Sequence, residues 1–579
     1  MKVDAQKRAL ALATVLLLLA GCAQGTAPAS GPGAAPAGQA QPALAPSGST
    51  TLQAIMKVEP ASVAAHPVTA TGISIAFAQR VFNATLDRDD GQEVTHPYLA
   101  ETLPALNTDT WKVGPDGTME TTWHLKPGLT WHDGTLLSAE DFAFAWKVYA
   151  TPDLAQSTTP PFPQIREVVA ADARTVVFRW KQLYPQAASL GNDFQALPRH
   201  LLEAPFAQGD MVAFMNHPFW SSQYVGLGPY KLDRWEPGSL IQGLAFEGHV
   251  GGRPKIDRVV IRFVPDENTA LTQLLSGDVQ FATDRTIRFE QAQVLQQRWG
   301  TGGGTAILTP AQPRHLAIQQ RPEFANPKML TETKGRQVLA YALDRQALNE
   351  GLFVGQGALT ETPITPFFPA YQDVDRAITK YPFNPLRAEQ LLGELGYTKG
   401  ADGFFSSGGE RLSVGFEQEA GDQTQREMSI IADTWRKIGI DSSTTVMSST
   451  QLRDGQVRST FPGVYSTAMG GAVKGGTKNL SNLTSNRIGI AANRWVGSNY
   501  GGWNSPGYDR VYDQFTSTLD PTQSNQQVVQ LTKLISDDVG VLMLFFNYNV
   551  SAHTAAVTGP DAKAFDVLVD WNLESWQLK

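Results

Sequence analysis

The side chains best suited to hold a small molecule lie together in Asn493 to Asn504 (NRWVGSNYGGWN). Arg494 offers charge, Trp495, Tyr500 and Trp503 offer stacking area, and Asn499 offers an amide, all on a glycine-loosened backbone. A binding pocket combines apolar walls with a few polar groups in this way. A surface loop anchored to the core by its tryptophans has the same composition. Patterns for catalysis are missing. There is no G-x-S-x-G elbow, no Walker A sequence and no H-x-x-x-H or H-E-x-x-H pair among the nine histidines. His132-Asp133 sets two metal-ligand types side by side. Neighbours on a strand point to opposite faces, however, and Asp133-Gly134 reads as a turn. Gly302-Gly303-Gly304 is followed by no Lys-Ser/Thr and reads as a connector. No catalytic residue, metal or cofactor is expected.

One residue offers covalent chemistry. Cys22 is the single cysteine of 579 residues, so no intrachain disulfide can form. It follows a basic start (Lys2, Lys7, Arg8) and an apolar run from Ala9 to Ala20. That is a secretory signal layout, shorter than the roughly 20 apolar residues of a membrane span. Leu19-Ala20-Gly21-Cys22 resembles the bacterial lipobox. The resemblance implies that Cys22 is lipidated, becomes the mature N-terminus and anchors the chain to a membrane. Each buried acyl CH₂ adds about 0.8 kcal/mol to such an anchor. Residues 1–22 are then a lipoprotein signal peptide. Residues 23–50, nearly all Ala, Gly, Pro, Ser, Gln and Thr, are a disordered tether.

Behind these residues stands a body long enough for two to four domains. Hydrophobic content of 42% with 18% charged residues is globular, and a mild net charge of -8 gives no reason to expect nucleic acid, which favours concentrated basic patches. The body reads as α/β. Arg174 to Trp180 is a strand, and Ser138 with Asp141 three residues on caps the helix through Phe142 to Tyr149. Ile256 to Val264 is a strand stopped by Pro265. Asp266 starts a helix carrying Ala270, Leu271, Leu274 and Leu275, which Gly277 ends. Asn384-Pro385 opens a helix with a face of Leu391, Leu392 and Leu395, ended by Gly396. Met428, Ile431, Trp435 and Ile438 make another helical face before Gly439. Val541 to Val550 is a buried strand.

Several segments resemble, in order, the bacterial extracellular solute-binding proteins of family 5, the peptide, nickel and opine class serving ABC importers. Tyr98 to Glu101 (YLAE) is similar to the family's P-x-L-A-E-S start. Trp123 to Thr135 (WHLKPGLTWHDGT) resembles F-x-L-R-x-G-V-x-F-H-D-G-x and runs into Ser138 to Phe142, like T-A-x-D-V. Gly226 to Tyr230 stands for G-T-G-P-Y, and Gly251 to Asp257 for G-G-x-P-x-x-D. Arg336 to Arg345 (RQVLAYALDR) resembles R-Q-A-L-A-Y-A-I-D-R, and Trp503 to Asp509 resembles W-x-N-P-E-Y-D. The match covers roughly residues 70 to 550.

The resemblance implies a type II, cluster C periplasmic-binding-protein-like fold, with two lobes, a hinge and an extra inserted domain. Domain I takes residues 51–76, 222–310 and 541–579, domain II 77–221, and domain III 311–540. Domains I and III close around a solute. Closure is read by an ABC permease, with peptides the default solute. The expected protein is a monomer, lipid-anchored outside the cytoplasm in a periplasm or on a cell surface. An extracytoplasmic hydrolase on an anchored scaffold and a sensory lipoprotein of the same fold are the alternatives. One departure bears on the solute. Peptide binders of the family hold the α-amine with an acid in a W-x-A-D-Y-P-D-P-like stretch. Gly463 to Thr477 (GVYSTAMGGAVKGGT) has no acid and adds Lys474. A buried ammonium needs an anionic partner. The stretch therefore favours a neutral or anionic solute or a blocked peptide, unless an acid arrives from elsewhere.

Overall fold

The computed structural model describes residues 50–64, 76–154, 157, 160–191, 193–471 and 474–579. The signal-like start, Cys22 and the tether through residue 49 lie outside them.

Two long strands organise the body. Gly304–Ile318 and Val541–Thr554 run antiparallel along their whole length. Their outer ends pair from Gly304↔Thr554 to Pro310↔Tyr548, and their inner ends from Pro313↔Phe546 to Ala317↔Val541. The register shifts between Pro310 and Pro313 and again between Arg314 and His315. Proline has no N–H to give a ladder, so the two prolines interrupt the pairing at its middle.

A large mixed sheet grows outward from both ends of this pair. At the outer end, Phe281–Ala282 pairs with His553 and Ala552. The parallel strands Thr51–Met56 and Arg258–Phe263 follow, then Leu240–Ala245 and Tyr230–Glu236. At the inner end, Val464–Ala468 pairs with Arg314 to Ile318, followed by Ser413–Glu419 and Asp441–Met447. Among the described residues the two halves of the sheet share only the two long strands, and each half carries its own core. One core is built on Leu52, Phe82, Trp123, Trp180 and Trp576, the other on Leu316, Phe416, Trp435 and Leu544. A third cluster, with Ile364, Phe368, Trp503 and Tyr508, extends the second half. Against the first half stands a separate antiparallel sheet of Trp111–Val113, Met119–His124, Thr175–Trp180 and Ile165–Asp172. Alternate residues of Met119–His124 are buried, as a strand with one core face requires.

Local signals in the chain account for many element ends. Asp141 Oδ2 accepts from the Ser138 N–H at 2.9 Å, closing the capping box of Ala139–Tyr149. Asp266 Oδ1 accepts from the Thr269 N–H at 2.7 Å to start Glu267–Ser276, and Gly277 ends it at φ 80°. Asn384 caps Pro385–Glu394 with proline at the first turn, and Gly439 at φ 105° stops Asp422–Ile438. The buried strand at Val541 runs on to Thr554. The Gly302-Gly303-Gly304 connector leads directly into the proline-bearing strand.

Candidate functional site

The carboxyl ends of strands from both halves of the sheet open onto one cavity of about 410 Å³. Thr51–Met56 ends there at Lys57 and Val58, and Phe281–Ala282 ends there at Asp284 and Arg285. Opposite them stand Glu419 and Ala468, the last residues of Ser413–Glu419 and Val464–Ala468. The crossing strands supply Arg314, Asn547 and Asn549 between the two sides. In α/β sheets ligands bind outside the carboxyl ends of strands, and ligand cavities run from roughly 300 to 1,000 Å³. A more open space of about 1230 Å³ continues from it between the starts of Glu267–Ser276, Phe289–Trp299 and Asp422–Ile438.

Charge in this cavity is mixed. Glu267 neutralises both Lys57, at 2.5 Å, and Arg288, at 3.2 Å. Arg285, held at φ 62°, donates from Nε to Asn549 Oδ1 at 3.1 Å. Asn549 in turn donates to Asp566 Oδ1 at 2.8 Å. Arg314 is 2% exposed and Glu427 fully buried, with Arg314 Nε 2.5 Å from Glu427 Oε2. Arg314 also donates to Ser466 Oγ at 2.8 Å, and Ser466 donates to Glu427. The Glu427 carboxylate keeps the guanidinium charged against the cost of burial. The remaining edge of Arg314 faces Glu419, 3.6 Å away and half exposed. The cavity is thus lined by the Arg285 guanidinium and by the carboxylates of Asp284 and Glu419, of which Glu419 is half exposed. Among the described residues no group of three or more His, Cys, Asp or Glu is placed to hold a metal ion.

The five residues expected to touch a solute lie elsewhere. None of them lines these two spaces. Trp503 is 1% exposed and donates from its indole to Asp538 Oδ2 at 2.7 Å. Asn499 is buried and donates to the carbonyls of Leu483, Thr484 and Trp503, while its Oδ1 accepts from the Trp503 N–H. Tyr500 receives a hydrogen bond from Arg458 at 2.9 Å and packs edge-on against Tyr465. Arg494 and Trp495 both sit at positive φ; Arg494 is exposed, and Trp495 packs beside Phe324. Trp503 belongs to the third core cluster, its indole held by the Asp538 carboxylate, while the Asn499 amide satisfies backbone groups beside it.

The expectation drawn from the acid-free stretch also changes. Lys474 Nζ sits 2.5 Å from Asp89 Oδ1, so its charge is spent within the protein. Asp566 reaches the backbone of Gly471 so closely that a Cβ there would collide with its Oδ2. Carboxylates do reach the region, from parts of the chain distant in sequence. The sequence offered no local signal for Asp284, Arg285, Arg314, Glu419 or Asp566, each of which reaches its place only through the tertiary fold.

The His132-Asp133 pair is structural. His132 accepts from the Gly226 N–H at Nδ1 and donates from Nε2 to the Gly228 carbonyl, both at 3.1 Å. Asp133 meets His200 at 2.7 Å.

Comparison with known proteins places this geometry. Residues 101–491 match the family described as bacterial extracellular solute-binding proteins, family 5 Middle. The oligopeptide-binding protein AppA of Bacillus subtilis is 23% identical over 529 residues, 86% of this chain and 89% of that one. The heme-binding protein A of Haemophilus influenzae is 25% identical over 393 residues, 64% of this chain and 65% of that one. Among solved structures, the oligopeptide binding protein from Thermus thermophilus complexed with pentapeptide superposes with a TM-score of 0.70. It is 20% identical, with 91% of this chain and 96% of that chain covered. The likeness in structure is one of fold, a two-lobed α/β periplasmic-binding-protein fold.

Proposed function

Because the chain belongs to the bacterial extracellular solute-binding proteins of family 5, we propose that it is the lipid-anchored receptor of an ABC importer, closing its lobes on a peptide or peptide-like solute. Proteins of this family are extracytoplasmic, non-enzymatic binding components of such transporters. The observation that carries the reading is the cavity of about 410 Å³ between the two halves of the sheet. Its mixed charge suits a zwitterion. Arg285 presents a guanidinium to a carboxylate, and the half-exposed Glu419 presents a carboxylate to an ammonium. A free peptide amine is therefore compatible with this chain, although Gly463 to Thr477 holds no acid. Curated relatives are named for binding oligopeptides and heme, so the solute must be identified directly.

In this reading domain II spans 77–221 and domain III begins at 311. We place the return to domain I between Phe546 and Tyr548 rather than at 541, because Val541–Thr554 changes partner halves there. Arg494, Trp495, Asn499, Tyr500 and Trp503 then support domain III, and the solute contacts fall to the cavity residues.

The test is to purify residues 23–579 without denaturant, denature the protein, and identify released molecules by mass spectrometry. A set of short peptides is the expected result. A single non-peptide compound would replace the peptide class. Anchoring is tested separately with Cys22→Ala, which should move the protein from the membrane fraction to the soluble fraction. Retention in the membrane would remove the anchor from the proposal.

A further inference from the structure

Two rigid turns meet across the seam between the lobes. The first joins Asp87–Asp89 to Thr95–Pro97. Asp90 Oδ1 accepts from the N–H groups of Gln92 and Val94, at 2.8 and 3.0 Å, and this local bracket projects Glu93 outward at φ 63°. The second turn is Lys474-Gly475-Gly476, three successive residues at positive φ. It is wedged on the third core cluster: a Cβ on Gly476 would collide with the Pro363 carbonyl, and Phe368 closes over Gly475. Left-handed conformations at Glu93 and Lys474 are costly and persist only where surrounding structure enforces them.

The turns engage through a carboxylate and a pair of backbone donors. Glu93 Oε1 accepts from the Lys474 N–H at 2.8 Å, and Oε2 accepts from the Gly475 N–H at 3.2 Å. Consecutive N–H groups of this kind form an anion-holding nest. Lys474 Nζ then reaches back to Asp89 Oδ1 at 2.5 Å and Thr95 Oγ1 at 2.9 Å. Lys478 meets Asp193 at 3.3 Å a little further along. The Glu93–Lys474 bond joins residues 381 positions apart in sequence. The two sides are rooted in different cores, so separating the lobes must break these bonds.

We propose that Glu93 and the Lys474–Gly475 turn form a clasp that sets how far this receptor stays closed, with Glu93 as its positioning residue. The inference rests on the receptor reading above, in which closure captures solute. The clasp is sensitive to pH in a defined direction. Burial in the seam pushes the Glu93 carboxyl up to about 7, against the pull of Lys474 and with a push from Asp89. The other charged groups nearby are internally matched: His96 with Asp90 on the same turn, and Lys478 with Asp193 across the seam. Asp87, which burial also pushes up to about 7, bonds the Leu190 N–H within its own side and also feels Asp89 and, across the seam, Lys474, so it adds to the same pH dependence. With the lobes apart, Glu93 returns to its ordinary value near 4.5. Closing therefore takes up a proton between those values and strengthens as pH falls. From about pH 8.5 to about pH 6 the closing equilibrium should rise by roughly tenfold.

The experiment is single-molecule FRET on the solute-free full chain. Dyes sit on cysteines introduced at exposed Val113 and Leu386, with Cys22 replaced by serine. The closed fraction of the parent should rise as pH falls. Glu93→Gln mimics the neutral acid, keeps one acceptor contact, and should lose most of the pH dependence of the closed fraction, leaving only what Asp87 adds. Glu93→Ala should be open at both, and Lys474→Met should shift toward open. A closed fraction in Glu93→Ala equal to the parent's, with the same pH dependence, would overturn the clasp. Adding a random pentapeptide pool separates the two readings. If peptides compact the parent and Glu93→Ala equally, the receptor reading stands and the clasp falls. If the closed fraction follows the clasp variants while no peptide binds, the clasp stands and the peptide class falls.

Discussion

Arg314 and Glu427 form an ion pair with almost no access to water, and its worth is asymmetric. Removing one partner strands a buried charge, which costs about 3–5 kcal/mol, whereas removing both together is often close to neutral. Glu427→Leu should therefore destabilise the protein by about that amount, and Arg314→Met with Glu427→Leu by distinctly less. Urea unfolding of the two variants checks this. An equal loss in both would mean the pair acts through packing alone. Trp503 presents a second case. Its indole fills the third cluster and bonds Asp538, so Trp503→Ala should cost about 3–5 kcal/mol and leave solute affinity unchanged in the folded fraction. Composition alone made the segment from Asn493 to Asn504 as good a candidate for a pocket as for a surface loop anchored to the core by its tryptophans. An amide that donates and accepts serves a backbone as readily as a ligand. Only the partners decide, and those partners, Leu483, Thr484 and Asp538, are set by tertiary structure.

Elements were legible where the signal is local and hidden where it is not. Caps at Ser138, Asp266 and Asn384, and stops at Gly277 and Gly439, depend on contacts within a few residues, and each was readable from the chain. The strand Gly304–Ile318 was not, because Pro310 and Pro313 argue against a central strand. Its register breaks at those prolines and so tolerates them. The turn at His132 shows how a motif residue supports an element. Burial pushes the imidazole down to about 3, and its Nδ1 must stay unprotonated to accept from Gly226. In the unfolded chain the ring returns to about 6.5, so the unfolded state gains protons first as pH falls. Stability is complete above about 6.5 and is lost toward pH 3, by up to about 1.4 kcal/mol per pH unit from this residue. His132→Gln should flatten that slope between pH 6 and 4 in denaturant titrations. His249 and His315, pushed down to about 4 and about 3 by burial, add slopes of the same sign, so an unchanged profile in the variant would assign the effect to them.

At the scale of the molecule, two lobes with separate cores are joined by two crossing strands whose ladder is broken at the crossing. Bending there disturbs few backbone bonds, because the prolines have none to lose on their own side. Hinges are formed by a few residues that absorb a change in backbone angle while rigid bodies move around them. Residues 310–313 on one strand and 546–548 on the other fit that description. The cavity lies beside the crossing, lined by Gln312, Arg314, Asn547 and Tyr548, so a small rotation there changes its width. Replacing Pro310 and Pro313 together by valine would restore two N–H donors and favour continuous pairing. We expect the variant to fold, with a stiffer crossing and a smaller fall in radius of gyration when the released solute is added back. Small-angle scattering of the parent and the variant, each with and without solute, measures this. Equal compaction in both would move the hinge away from the prolines, to the connections that flank the crossing strands.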